Sequence, residues 1–223
     1  MKRTKLCDRR LPRYTKGEEL LNAISHGAGA VLSIAALVLC VIRSARSDNI
    51  YGIVASVIYG VSLIAVFTIS CVYHGMNPCL GKKALQVIDH CTIYLLIAGS
   101  YTVIVLSAIR PAFPVLGWGL FFFEWIMAAI AATLTAIDLK KYGVFSMICY
   151  IGMEWAVIPF WQQALAVLTP PGFLLLLWGG IAYSVGAVLY GLGKRRKWMH
   201  GIFHLFVLLG ALLQFLCVLL YAL

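Results

Sequence analysis

The chain reads as all-α, a bundle of seven transmembrane helices with its N-terminus in the cytoplasm and its C-terminus outside. Three observations predict this class. Of 223 residues, 62% are hydrophobic and only 12% are charged, and the mean hydropathy is +0.94, which leaves little room for a soluble fold. Apolar stretches of about 20 residues, enough to cross about 30 Å of hydrocarbon, recur along the whole length. All but three of the 18 basic residues fall on one side of the spans so defined.

Residues 1–19 are expected to form a basic cytoplasmic tail and residues 20–223 a single membrane domain. The first span runs from about Leu20 to Val41. It is too long, and lacks the small-residue cleavage site, for a removable signal peptide, so it is expected to remain as the anchor. The second span, Ile50 to His74, and the third, Leu85 to Ile109, are joined by a tight hairpin carrying Lys82 and Lys83. The fourth, Pro114 to Ile137, and the fifth, Tyr142 to Ala164, flank Lys140 and Lys141, and each holds one carboxyl near its middle, Glu124 and Glu154. The sixth, Pro171 to Leu192, contains Gly179, Gly180 and Gly186, which read with Gly27 and Gly29 as close-packing positions. The basic run Lys194 to Lys197 separates it from the seventh, Trp198 to Leu223. Trp118, Trp161 and Trp198 fit an aromatic belt at the interfaces.

Lys and Arg are retained on the cytoplasmic side of a membrane protein. Here the N-terminal tail and the second, fourth and sixth loops carry them, and only Arg43, Arg46 and Arg110 fall opposite. That places the protein as a multi-pass resident of the cell's inner membrane. The net charge of +10 is dispersed over every loop of one face, as anionic lipid headgroups require, and this pattern argues against nucleic-acid binding. Seven cysteines without a C-x-x-C pair, those in the loops facing the reducing side, imply no disulfide framework.

The five histidines, His26, His74, His90, His200 and His204, all fall where spans meet that same side. Ligating side chains in a bilayer are costly and usually functional. His200 and His204 lie one turn apart on one helix face, at the same level as His74. Three imidazoles suit a catalytic zinc that keeps its fourth position for water. Ser70 shares the helix face of His74 and can hydrogen-bond near the metal, and Asp89 is the natural carboxylate for holding and deprotonating the water. A metal that acidifies water and polarises a carbonyl beside a proton acceptor hydrolyses amides or esters. At headgroup depth, the expected substrate is a membrane lipid.

Glu19-x-x-Asn22-x-x-Ser25-His26, Ser70-x-x-x-His74, Asp89-His90 and His200-x-x-x-His204, in that order, together resemble the haemolysin III family. That family belongs with the progestin and adipoQ receptors and the alkaline ceramidases, and the resemblance spans nearly the whole chain. It implies seven helices, zinc on His74, His200 and His204, Asp89 at the metal water and Ser70 in support. Val103 and Gln214 stand where the family more often has proline and histidine.

His26 shares a face with Glu19 and Asn22, which reads as a bracing hydrogen-bond network more than as ligation. His90 points about 100° away from Asp89 and is assigned no metal role. Glu124 and Glu154 carry the alternative reading: an ion path in a transporter, signalling or haemolysin-like membrane protein whose zinc is structural. A bis-histidine haem is disfavoured, because two ligands one turn apart on one helix cannot sit on opposite sides of a flat macrocycle.

Overall fold

The computed structural model describes residues 4–193 and 196–223. Lys2, Arg3, Lys194 and Arg195, counted above among the basic residues, lie outside the described residues. Among the described residues there are helices and turns and no strand.

Helix α1 (Lys16–Arg46) opens on a capping box: the Thr15 side chain accepts from the Glu18 amide, and the Glu18 carboxylate accepts from the Thr15 amide. First-turn N–H groups are thereby satisfied, so Lys16 to Glu19, expected in the tail, are helical. Helix α2 (Ile50–Gly75) is capped by Asn49, which accepts from the Gly52 amide. Helix α3 (Leu80–Val103) is capped by Cys79 and runs on through a π-helical turn, Ile104–Ile109, into Arg110–Ala112. Pro114 opens α4 (Pro114–Ile137), where its missing N–H has no partner to lose. There follow α5 (Gly143–Glu154), a 3-10 turn at Ile158–Phe160, α6 (Trp161–Gly193) and α7 (Met199–Cys217), which ends in a second π-helical turn, Val218–Ala222.

Among the described residues, six helical stretches are long and apolar enough to cross a membrane, where the sequence leads one to expect seven spans. The difference lies in Gly143–Gly193, one stretch of 51 residues that spans the expected fifth and sixth elements. It is bent at Thr169, which sits at φ 60, ψ 165. Pro170 offers no N–H and pushes its predecessor out of the helical region. The two legs lie against each other: Trp155 Nε1 donates to Ser184 Oγ at 2.9 Å, and the Glu154 carboxylate and Trp155 ring face Gly180. These pairs are nearly symmetric about Thr169, so the chain doubles back there.

Helix α3 forms the centre, with 83% of its most apolar window buried against 28% for α1 and α4. Around it α1 packs on α2, α6 on α7, and α7 closes against α1. Small residues set the closest approach. An added Cβ at Gly179 would meet Gln214 Cγ at 2.8 Å, and one at Gly210 would meet the Tyr183 ring at 2.8 Å, so α6 and α7 touch nearly backbone to backbone. Polar links are internal: Tyr94 of α3, Thr135 of α4 and Ser146 of α5 form a chain of hydroxyl hydrogen bonds at 3.1 and 3.0 Å. Large apolar side chains such as Val31, Val115 and Phe122 face outward, as hydrocarbon surroundings require.

Candidate metal centre

Helix α2 ends beside the start of α7, and this brings His74 to His200 and His204. The His200 Nε2 atom lies 3.4 Å from His74 Nε2 and 3.1 Å from His204 Nε2. Each residue offers one ring nitrogen such that all three lie within 4.8 Å of one another. A tetrahedral ion with bonds of about 2.0–2.1 Å has ligand-to-ligand edges of roughly 3.3–3.4 Å; the two separations from His200 lie near that length, and the three histidines form a group that could hold an ion. All three side chains are buried, and their facing ring nitrogens, within hydrogen-bond distance of one another, are placed to share a proton or an ion.

His74 is held from behind. Its Nδ1 lies 2.6 Å from Glu19 Oε2, with the Asn22 amide 3.3 Å from the same nitrogen. The other Glu19 oxygen takes Lys82 Nζ at 2.6 Å, and Lys82 also donates to the Met76 carbonyl at the end of α2. With its Nδ1–H given to a carboxylate, His74 presents the Nε2 lone pair to the site, the arrangement that fixes tautomer and ring orientation in metal-binding histidines. Lys82 is 3% exposed, and the carboxylate that neutralises it is the one that orients the ligand.

Ser70, one turn before His74, shares a side-chain hydrogen bond with Asp89 of α3. Both line one cavity with His26 and His204. Ser25 donates to the Asn22 carbonyl at 3.1 Å, while His26 packs against His204 with ring centroids 3.8 Å apart and planes tilted by 33°, and meets Phe67 edge-on. The structure therefore brings Glu19, Asn22, Ser25, His26, Ser70, His74, Asp89, His200 and His204 to one end of the bundle. His90 turns away, toward the Gln86 carbonyl and the Tyr190 hydroxyl. Glu154 lines the far end of the same cavity. Glu124 is fully buried in α4, and neither carboxylate oxygen has a hydrogen-bond partner among the described residues.

Three residues of the site escaped the sequence reading. Tyr14 stacks on His200, centroids 4.8 Å apart and planes 18° from parallel. Burial pushes its phenol well above the ordinary value, with Tyr190, Glu19, Asp89 and Glu18 adding to the effect, so its hydroxyl keeps its proton. The tail preceding α1 thus covers the histidines. Glu18 Oε1 accepts from the Trp198 amide at 2.7 Å, pinning the start of α7 to the start of α1, and Lys82 completes the set. The spacing Thr15-x-x-Glu18 is a readable capping signature. Nothing local marks Tyr14 or Lys82.

A family model described as Haemolysin-III related matches residues 14–215. The chain is 38% identical over 214 residues to "Hemolysin-3" of Bacillus cereus, covering 96% of this chain and 95% of that protein. To "Hemolysin-3 homolog" of Bacillus subtilis (strain 168) it is 37% identical over 208 residues, 93% of this chain and 96% of the relative. A more distant similarity, 28% over 209 residues and covering 89% and 82% of the two chains, is to "Monocyte to macrophage differentiation factor" of Homo sapiens.

Proposed function

This chain belongs to the Haemolysin-III related family, and from that premise we propose that it is a zinc-dependent membrane hydrolase acting on an amide or ester bond of a lipid. The observation that carries the reading is the convergence of His74, His200 and His204 beside the Ser70–Asp89 pair. His74, His200 and His204 would hold the metal. When bound, zinc polarises a carbonyl and brings the pKa of water toward about 7.

The chain's own residues do the rest. Asp89 accepts a proton at its carboxylate, and the hydrogen bond with Ser70 orients that group. Glu19 keeps His74 in the tautomer whose Nε2 faces the site. Tyr14 covers His200 and limits water. A cavity of about 100 Å³ with largely apolar walls runs from Asp89 and His204 into the bundle and offers an acyl chain a place beside the reacting bond.

Within this proposal the chain crosses the inner membrane seven times. A straight helix of 51 residues would be about 77 Å long, far beyond a core of about 30 Å, and the fold-back at Thr169 supplies two crossings from it. Basic residues concentrate at the histidine end, which supports an N-terminus and metal site on the cytoplasmic side.

Purified protein is expected to hold about one zinc per chain by elemental analysis, and His204→Ala to lose it. Asp89→Asn is expected to abolish amide or ester cleavage in a lipid panel while retaining the metal. Protein that carries no transition metal after purification without chelators would sink the reading. A second reading, ion movement around a structural metal, is favoured by Glu124, buried with neither oxygen partnered by any described residue. Flux in vesicles that disappears in Glu124→Gln but survives Asp89→Asn would select it.

A further inference from the structure

The cavity that begins at Ser70, Asp89 and His204 does not end in hydrocarbon. Its deep end is formed by Glu154 and Tyr183. Gln214 donates to Glu154 Oε1 at 2.6 Å, while Oε2 takes no hydrogen bond from any described residue. The Tyr183 hydroxyl is buried and likewise unpartnered. Both groups are held in place: Gly180 leaves room for Glu154 Oε1, 3.3 Å from where its Cβ would be, and Gly210 leaves room for the Tyr183 ring.

Gln214 follows His204 by ten residues on one helix, so this polar end lies about 15 Å from the histidines along the bundle. The walls between, among them Val66, Ile93, Leu96 and Val207, are apolar. A plain alkyl chain filling the cavity would leave the Tyr183 hydroxyl and the free Glu154 oxygen buried without partners, which is costly in a low-dielectric interior.

We propose that Glu154 and Tyr183 form a second recognition point, which takes a hydroxyl carried on the apolar chain of an amphiphile whose polar head lies at the three histidines. That hydroxyl donates to Glu154 Oε2 and accepts from the Tyr183 phenol. The inference rests on the reading that the cavity takes the ligand of the metal site. It narrows the substrate class to hydroxylated acyl chains, with the hydroxyl about 15 Å from the reacting bond.

The test uses full-length, zinc-loaded protein in detergent and a series of alkyl hydroxamates of stepped chain length, each with and without a terminal hydroxyl, titrated by calorimetry. The hydroxamate seeks the metal, and the terminal hydroxyl probes the deep end. At one chain length the hydroxyl form is expected to bind about tenfold more tightly than its plain counterpart. The ratio between the two should collapse to unity in Tyr183→Phe and in Glu154→Leu. Tyr183→Phe removes a single oxygen, so the test survives if Glu154→Leu fails to fold. Plain hydroxamates that bind with no gain from a hydroxyl at any length, or a gain that persists in Tyr183→Phe, would overturn the second recognition point and leave the cavity reading intact. If no hydroxamate binds to metal-loaded protein, the cavity reading falls and this inference with it.

Discussion

Glu19 Oε2 sits 2.6 Å from His74 Nδ1, joining the first turn of α1 to the last turn of α2 through the back of the imidazole. The same carboxylate neutralises Lys82 at 2.6 Å. One side chain therefore both orients a ligand and compensates a buried cation, and its removal has two costs.

Glu19→Gln keeps an acceptor for His74 but loses the charge. Zinc affinity is expected to drop by about 10- to 100-fold, measured by competition with a chromophoric chelator. Because the mutation also strands Lys82, Lys82→Met in the Glu19→Gln background should recover part of the stability lost. Wild-type affinity in Glu19→Gln would remove the carboxylate from the account of the site.

Thr169 holds φ 60, ψ 165 at the bend between the two legs of Gly143–Gly193. That conformation is nearly confined to glycine and costs a β-branched residue about 1–3 kcal/mol, whereas glycine loses about 0.5–1 kcal/mol in chain entropy. Thr169→Gly is expected to stabilise the protein by about 1 kcal/mol, read as a higher Tm in detergent. A lower Tm would mean that contacts of the threonine side chain outweigh the strain.

Gly117 faces the backbone of Arg110, whose Cα and N would lie 2.7 and 2.9 Å from an added Cβ. Main chain cannot swing aside as a side chain can, so Gly117→Ala should force α4 away from the end of α3. The expected loss is about 1–3 kcal/mol, seen in thermal unfolding. Gly119, with open space around it, provides the control, since Gly119→Ala should change stability little.

Asp138, just beyond α4, accepts from the Thr4, Lys140 and Lys141 amides. The Thr4 amide first, then that of Lys141, holds its carboxyl down from 3.8 to about 2. A carboxyl lowered in the folded state stabilises it above the unfolded value and loses that contribution as pH falls through the folded value. The Tm gap between wild type and Asp138→Ala is expected to be constant above pH about 4 and to close between about 4 and about 2. A gap that does not depend on pH would show that the hydrogen bonds do not favour the ionised form.

The site was legible where helix periodicity alone converts spacing into depth and face. His200 and His204 must share a face of α7, Ser70 and His74 a face of α2, whatever surrounds them. Tyr14 and Lys82 were not legible, because the tail and the α2–α3 hairpin acquire partners only when α1 is in place beside them. The bend at Thr169 was half legible: the two prolines divide the apolar run, but whether its legs pair depends on Trp155 meeting Ser184. The π-helical turn at Ile104–Ile109 has no sequence signal that we recognise.

Composition, apolar run length and the ordered histidine motifs determined by themselves that this is a helical membrane protein with ligating groups at one end. Those properties follow from transfer of side chains into hydrocarbon and from a fixed helical repeat, and neither needs a partner helix. Only the tertiary structure decided that Glu19 backs His74, that Tyr14 covers His200, and that the cavity ends at Glu154 and Tyr183. Each is a contact between distant positions, and its distance depends on how closely glycines let the helices approach.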